Sequence, residues 1–100
     1  MIIVSGTLTL RPESVAALRE IAQTTLRETR REKGCIVYSF AEDLLEPGLI
    51  RIYEEWETMA DLDAHGRTTH IEAWRKAVGA EGPLGRELKT VEAGATAPLD

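Results

Sequence analysis

The sequence predicts an α+β fold with a four-stranded antiparallel sheet, and two kinds of residue pattern support this prediction. Strand-like patterns of apolar and polar residues occur in four segments, which are residues 2–10, 35–42, 49–57 and 84–92. Between them, two segments place apolar residues at helical spacing along one face. The chain has 100 residues, which is the length of a single domain.

The first strand and the first helix are predicted from a change of period. Residues 2–10 alternate with a period of two, which indicates a strand. Pro12 suits the first position of a helix, and Glu13 suits the positive end of its dipole. Apolar residues then recur at helical spacing until Gly34, which is a suitable stop.

Residues 35–42 and 49–57 are predicted to form a hairpin through the turn Glu46-Pro47-Gly48. If the alternation is regular, Ile36, Tyr38 and Phe40 point to one face of the sheet. Cys35 and Val37 then point to the opposite face, so both faces of the sheet carry apolar groups.

Two further helix starts follow the hairpin. Thr58 with Asp61 three residues later resembles a capping box, and this short helix is expected to stop near Gly66. Thr69 with Glu72 offers the second start. This helix carries an apolar stripe of Ile71, Trp74, Ala77 and Val78, and it is followed by the last strand at residues 84–92.

The order of strand, helix, hairpin, helix and strand is the β-α-β-β-α-β arrangement of ferredoxin-like domains, here over residues 1–92. Two helices cover only one face of such a sheet. Because the other face also carries apolar groups, we expect a homodimer that packs sheet against sheet. The tail, residues 93–100, is expected to be flexible or to contact the partner.

Composition excludes several kinds of partner. The formal net charge of -5 argues against nucleic acid and anionic membranes. Cys35 is the only cysteine, so no internal disulfide forms, and a cytoplasmic location is expected. The first residues lack the features of a signal peptide, and no apolar run reaches the ~18 residues of a membrane helix.

The chain has two histidines, His65 and His70, with Gly66 between them. Their spacing does not place both on one helical face, and no third ligand is evident, so we predict no metal site. If Thr69 caps the second helix, His70 occupies its first position, where the dipole favours a neutral ring that accepts a proton. Trp74 lies one turn further on the same face and would extend this surface for a flat aromatic ligand.

Several of these residues resemble the antibiotic biosynthesis monooxygenase (ABM) family. Its pattern is a Glu-x-Trp strand end, a short helix ending in His, and a second His about five residues later. The residues that match it are Glu54, Trp56, His65 and His70, within the segments Tyr53-Glu54-Glu55-Trp56-Glu57, Leu62-Asp63-Ala64-His65 and Thr69-His70. Gly34 and Tyr38 also fit, and the resemblance spans residues 2–92.

The resemblance implies a dimeric α+β barrel and a monooxygenase that needs no cofactor and acts on quinols or polycyclic phenols. Such a substrate, once deprotonated, can hand an electron to dioxygen, so the protein supplies a base and a dry pocket. His65 and His70 are both candidate catalytic bases, and the sequence does not choose between them. The candidate substrate-binding residues are Tyr38, Tyr53, Glu54, Trp56 and Trp74.

Other interpretations of the same residues remain open. The histidines could cap helices or bond to Glu54, the tryptophans could be core residues, and the basic residues Arg30, Arg31 and Lys33 could form a solvated helix end. One alternative function is a non-catalytic dimeric protein that binds a small molecule or serves in a stress response. A haem-binding or haem-degrading relative would need an Asn-Trp-His set, and the chain has no Asn. An isomerase or decarboxylating enzyme would use the same pocket.

Overall fold

The computed structural model describes all 100 residues and confirms the predicted fold class. The elements are β1 (Ile2–Thr9), α1 (Pro12–Thr29), β2 (Cys35–Glu42), β3 (Leu49–Trp56), α2 (Met59–His65), α3 (Thr69–Ala80) and β4 (Gly85–Glu92). The strands form one antiparallel sheet in the order β2-β3-β1-β4. This is the ferredoxin-like arrangement, with a short extra helix between the hairpin and α3.

The helices pack on one face of the sheet, and the buried apolar residues lie between the two layers. One buried cluster joins the sheet to α1 and α3 and consists of Leu8, Leu10, Leu18, Ile52, Ile71, Trp74 and Val78. A second cluster lies at the end of the sheet beside α2 and consists of Ile2, Val4, Tyr38 and Trp56. Trp56 is completely buried. Two members of this second cluster, Tyr38 and Trp56, pack against the His65 ring.

The caps of α2 and α3 fix the positions of the two histidines. The Thr58 hydroxyl accepts a hydrogen bond from the Asp61 backbone N–H, as the sequence predicts. The cap of α3 is Thr68 rather than Thr69, because Thr68 has the extended backbone of an N-cap and its hydroxyl accepts from the Ile71 N–H. His70 is therefore at the second position of α3, and the prediction that it takes the first position is wrong.

A β-bulge at the start of β2 changes which residues face the helices. Cys35 pairs with Trp56, whereas Val37 pairs with Glu55, so Ile36 is the extra residue of the bulged strand. Cys35 consequently packs against the second cluster, on the helix side, and Ile36 is 49% exposed. The prediction of regular alternation through this segment is wrong for these two residues, because the bulge shifts the register by one.

The face of the sheet away from the helices is uncovered within one chain. It carries small hydroxyl residues together with partly exposed apolar and aromatic ones, including Ile3, Val37, Leu49, Tyr53 and Val91. Residues 93–100 have no regular structure, although the Ala93 N–H donates to the Met1 carbonyl. None of the helices is long and apolar enough to cross a membrane.

Candidate active site

A cavity of about 750 Å³ lies between the helix-facing side of the sheet and the helices α2 and α3. Its apolar lining comes mainly from β1, β3 and α3 and includes Val4, Leu8, Ile52, Ile71, Trp74 and Val78. Its polar lining includes Tyr38, Glu54 and His65. A hollow of this size, with apolar side chains beside convergent polar and charged groups, has the character of a small-molecule site.

His65 is the only histidine that lines this cavity. It is the last residue of α2 and is 5% exposed. Its Nδ1–H donates to Glu32 Oε2 at 2.8 Å. The Glu32 carboxylate can only accept, so the proton of this bond belongs to Nδ1. A neutral ring with this tautomer has a free lone pair on Nε2. Nε2 has no hydrogen-bond partner within the protein.

Glu32 joins the two histidines. His70 Nε2 lies 2.7 Å from the same Oε2 atom that His65 contacts, and the Thr68 hydroxyl lies 3.3 Å from that Nε2. Glu32 is in the turn between α1 and β2, which is closed by Gly34 at φ +82°. A Cβ at Gly34 would collide with the Asp61 side chain, so this glycine lets the turn approach α2.

Two aromatic side chains pack against His65. The Tyr38 ring meets His65 edge-on at 5.1 Å between centroids, and the Trp56 ring lies at 4.9 Å. Trp74 stacks on Phe40 at 5.2 Å and lines the cavity, whereas His70 does not line it, so the two residues do not form the joint surface that the sequence predicts. Burial, with the nearby Glu54 and Glu32, raises the pKa of Tyr38, so its hydroxyl stays protonated.

Glu54 is a buried carboxyl group in the cavity wall. It is 6% exposed, and its Oε1 accepts a hydrogen bond from Trp56 Nε1 at 2.9 Å. Burial raises the pKa of Glu54, while the Trp56 N–H and the neighbouring His65 act in the opposite direction. The Glu54 carboxyl group therefore keeps its proton to a higher pH than a carboxyl group in water does.

The structure divides the predicted site residues into three groups. Tyr38, Glu54, His65 and Trp74 line the cavity. Trp56 and His70 lie behind this wall, where they support His65 through the contacts above. Tyr53 is on the opposite face of the sheet, where its hydroxyl donates to Glu55 at 2.6 Å. Tyr53 is therefore the one predicted substrate-binding residue that neither lines this cavity nor contacts His65.

Sequence reasoning missed Glu32. It lies in the run Arg30-Arg31-Glu32-Lys33, which has the composition of a solvated helix end. Arg30 is also not simply solvated, because its guanidinium donates twice to the Tyr38 carbonyl. The only available signal was a lone acid before the Gly34 turn, and nothing in its spacing connects it to residues more than 30 positions away.

The Glu32, His65 and His70 cluster also supplies the donor types that zinc accepts, and the three donor atoms lie within 4.8 Å of one another. The objection based on spacing, that no third ligand accompanies the histidines, therefore does not hold in three dimensions. In the structure both nitrogen–oxygen contacts have hydrogen-bond lengths and share one carboxylate oxygen. Hydrogen bonds to Glu32 thus hold the two histidines together, and His65 Nε2 remains without a partner in the protein.

Comparison with known proteins gives a consistent result. Among curated proteins, an uncharacterised protein from Synechocystis sp. is 35% identical over 70 residues, which are 70% of this chain and 48% of that protein. The chain thus spans about half the length of this relative. A candidate antibiotic biosynthesis monooxygenase from Deinococcus radiodurans superimposes with a TM-score of 0.91 at 28% identity, covering 100% of this chain and 99% of that one.

A conserved protein from Methanosarcina mazei also superimposes, with a TM-score of 0.85 at 25% identity, over 93% of this chain and 92% of that one. The family model described as antibiotic biosynthesis monooxygenase matches residues 1–77. These residues include the whole Glu32, His65 and His70 cluster and all the strands and helices around it except β4 and the end of α3. By this match over three quarters of its length, the chain belongs to the antibiotic biosynthesis monooxygenase family.

Proposed function

We propose that this chain is a monooxygenase that needs no cofactor, oxidises a quinol or a polycyclic phenol with dioxygen, and works as a homodimer. One observation carries the proposal. His65 is buried in the wall of a largely apolar cavity, with Nδ1 held by Glu32 and Nε2 free. This is the arrangement expected of a general base that acts on a substrate in a dry site.

The cavity suits a flat aromatic substrate. Its volume of about 750 Å³ falls within the range of small-molecule sites, which is roughly 300–1,000 Å³. The stacked pair of Phe40 and Trp74 continues through Tyr38 to His65, so these rings make one aromatic side of the cavity. Aromatic rings favour offset or edge-on packing with one another, so this side would hold a planar ring system against it.

The reaction needs no external reductant, because the substrate itself supplies the electrons. His65 Nε2 takes the phenolic proton, and the resulting anion transfers an electron to dioxygen. The oxygen species then bonds to the ring carbon, and loss of water leaves a carbonyl group. For a ring methylene the balance is R₂CH₂ + O₂ → R₂C=O + H₂O. Tyr38 lines the same cavity beside His65, and its hydroxyl stays protonated there.

The two histidines have different roles in this proposal. His65 lines the cavity and is the base, whereas His70 lies behind it and contacts the same oxygen of Glu32. His70 is thus a positioning residue that acts through Glu32. The sequence leaves the choice of base open, and the geometry favours His65.

The uncovered face of the sheet supports the homodimer. It contains apolar and aromatic side chains that the helices do not reach, and a second copy of the sheet would cover them.

The single, partly buried Cys35 fits a reducing compartment such as the cytoplasm.

The test is oxygen uptake by chelator-treated protein with a panel of anthrones and hydroquinones. We expect uptake with at least one member, and a loss of roughly 10²-fold or more in kcat for His65→Ala, because general-base catalysis contributes about that much. His70→Ala should retain more activity than His65→Ala. Binding of the panel without any uptake would instead indicate a non-catalytic binding protein.

A further inference from the structure

We infer that the substrate carries an anionic group, a carboxylate or a group of similar shape, bound by three arginines at the mouth of the cavity. This inference rests on the proposed function, since it concerns the same cavity. The arginines are Arg67, Arg75 and Arg86, which we call the arginine rim. They come from three different parts of the fold, namely the turn between α2 and α3, helix α3 and strand β4.

Strand register identifies which basic residues of β4 face the cavity. Arg86 pairs with Leu8, a buried residue of the helix-facing side, so the Arg86 side chain projects over the cavity. Lys89 also borders the cavity, but it pairs with Ser5 on the uncovered face. We therefore leave Lys89 out of the rim.

The charge of the rim is opposite to the charge of the chain. The chain has 17 acidic and 12 basic residues, yet three arginines meet only two acidic residues, Asp63 and Glu54, around this cavity. Burial raises the pKa of Glu54 while the Arg86 charge acts in the opposite direction, so Glu54 offsets only part of the charge of the rim. An excess of positive charge at the mouth of a cleft raises the local concentration of anions.

The arginines also have N–H groups that no protein acceptor occupies. The Arg67 and Arg86 side chains make no ion pair and no hydrogen bond within the protein, although acidic residues outnumber basic ones in the chain. Arg75 Nη1 donates to the Gly66 carbonyl at 3.0 Å, which holds its side chain near the mouth and leaves its other donors available. The planar guanidinium group matches a carboxylate through paired hydrogen bonds, and this favours a carboxylate over a diffuse anion.

Binding at the rim would orient the ring system. The rim lies at the polar mouth, while His65 and Tyr38 lie in the wall closer to the core, both being nearly fully buried. An anion fixed at the mouth leaves the opposite end of a flat substrate to enter the cavity, and the reacting hydroxyl is expected at that end. Such anchoring by a remote group is a common means of positioning a reacting atom.

The test compares two probes that share a naphthalene ring, the charged 2-naphthoate and the neutral 2-naphthalenemethanol, by fluorescence titration of the intact protein. We expect 2-naphthoate to bind about tenfold more tightly, with a preference that falls as salt is raised. Arg67→Gln and Arg86→Gln should each weaken only the naphthoate complex, by roughly threefold to tenfold. Lys76→Gln is the matched control, because Lys76 lies on α3 outside the cavity and is exposed.

Equal affinity for the two probes, or equal effects of Lys76→Gln and the rim variants, would overturn the inference. The outcome is separable from the proposed function. Oxygen uptake with neutral quinols but no preference for naphthoate removes the arginine rim and leaves the monooxygenase. Preference for naphthoate without oxygen uptake by any anthrone or hydroquinone leaves the rim and removes the monooxygenase.

Discussion

Replacing Glu32 with glutamine is expected to weaken both the fold and the orientation of His65. The carboxylate oxygen Oε2 accepts from two imidazole rings, at 2.8 and 2.7 Å, and only 15% of the side chain is exposed. Hydrogen bonds to charged groups contribute about 1.5–3 kcal/mol each. Glutamine keeps one acceptor oxygen but loses the charge, so we expect the free energy of unfolding to fall by about 2–3 kcal/mol.

Urea denaturation measures this loss, and Glu28→Gln is its matched control. Glu28 is also near the end of α1, but it is half exposed and its only ion pair, to Arg31, is 3.8 Å long. A surface pair of this kind contributes at most about 1 kcal/mol, so the control should change little. Both variants are compared at one protein concentration, because association would also stabilise the folded chain.

The second readout is the tautomer of His65, which a purely structural role of Glu32 would not predict. Nitrogen-15 NMR of the intact protein should show an unprotonated Nε2 on His65, because Nδ1 donates to Glu32. In Glu32→Gln we expect a mixture of tautomers and a lower kcat with little change in KM. If Glu32→Gln matches Glu28→Gln in stability and leaves the tautomer unchanged, the Glu32 cluster does not orient the base.

The remaining predictions concern the buried carboxyl group and the uncovered face. Burial raises the pKa of Glu54 above its ordinary 4.5, so the unfolded chain loses this proton at a lower pH than the folded chain does. The contribution of this group to the free energy of unfolding therefore falls as the pH rises above about 4.5. Glu54→Gln should flatten this part of the pH dependence in chemical denaturation, whereas Glu55→Gln, on the other face, should not. Val37→Arg places a charged side chain on the proposed interface and should shift sedimentation equilibrium toward monomer, where Glu55 opposite can pair with the arginine within one chain. An unchanged dimer would exclude this face as the interface.

The fold follows from the sequence because its determinants are local. Period-two alternation, Pro12 at the start of α1 and the turn around Gly48 each act over a few residues, and the predicted strand ends agree with the structure to within one residue. The bulge at Ile36 escaped prediction, since an extra residue in one strand shows only when the partner strand is known.

The site was less predictable, because it depends on side chains that meet across the fold. Tyr38, Glu54 and His65 were found through their match to a family pattern, and the cavity places them together. Glu32 was hidden in a charged run, and its role appears only where α2 and α3 bring the two histidines to one oxygen atom. Tyr53 lies outside this cavity, because alternation along β3 puts it on the face opposite Ile52 and Trp56.

The most direct measurement of the central claim is mass spectrometry of the product formed under ¹⁸O₂ by chelator-treated protein with an oxidisable anthrone. We expect one ¹⁸O atom in each product molecule, with the second atom leaving as water, and we expect His65→Ala to abolish product formation. Product oxygen derived from the solvent, or undiminished ¹⁸O incorporation by His65→Ala, would show that the buried imidazole is not the base for oxidation by dioxygen.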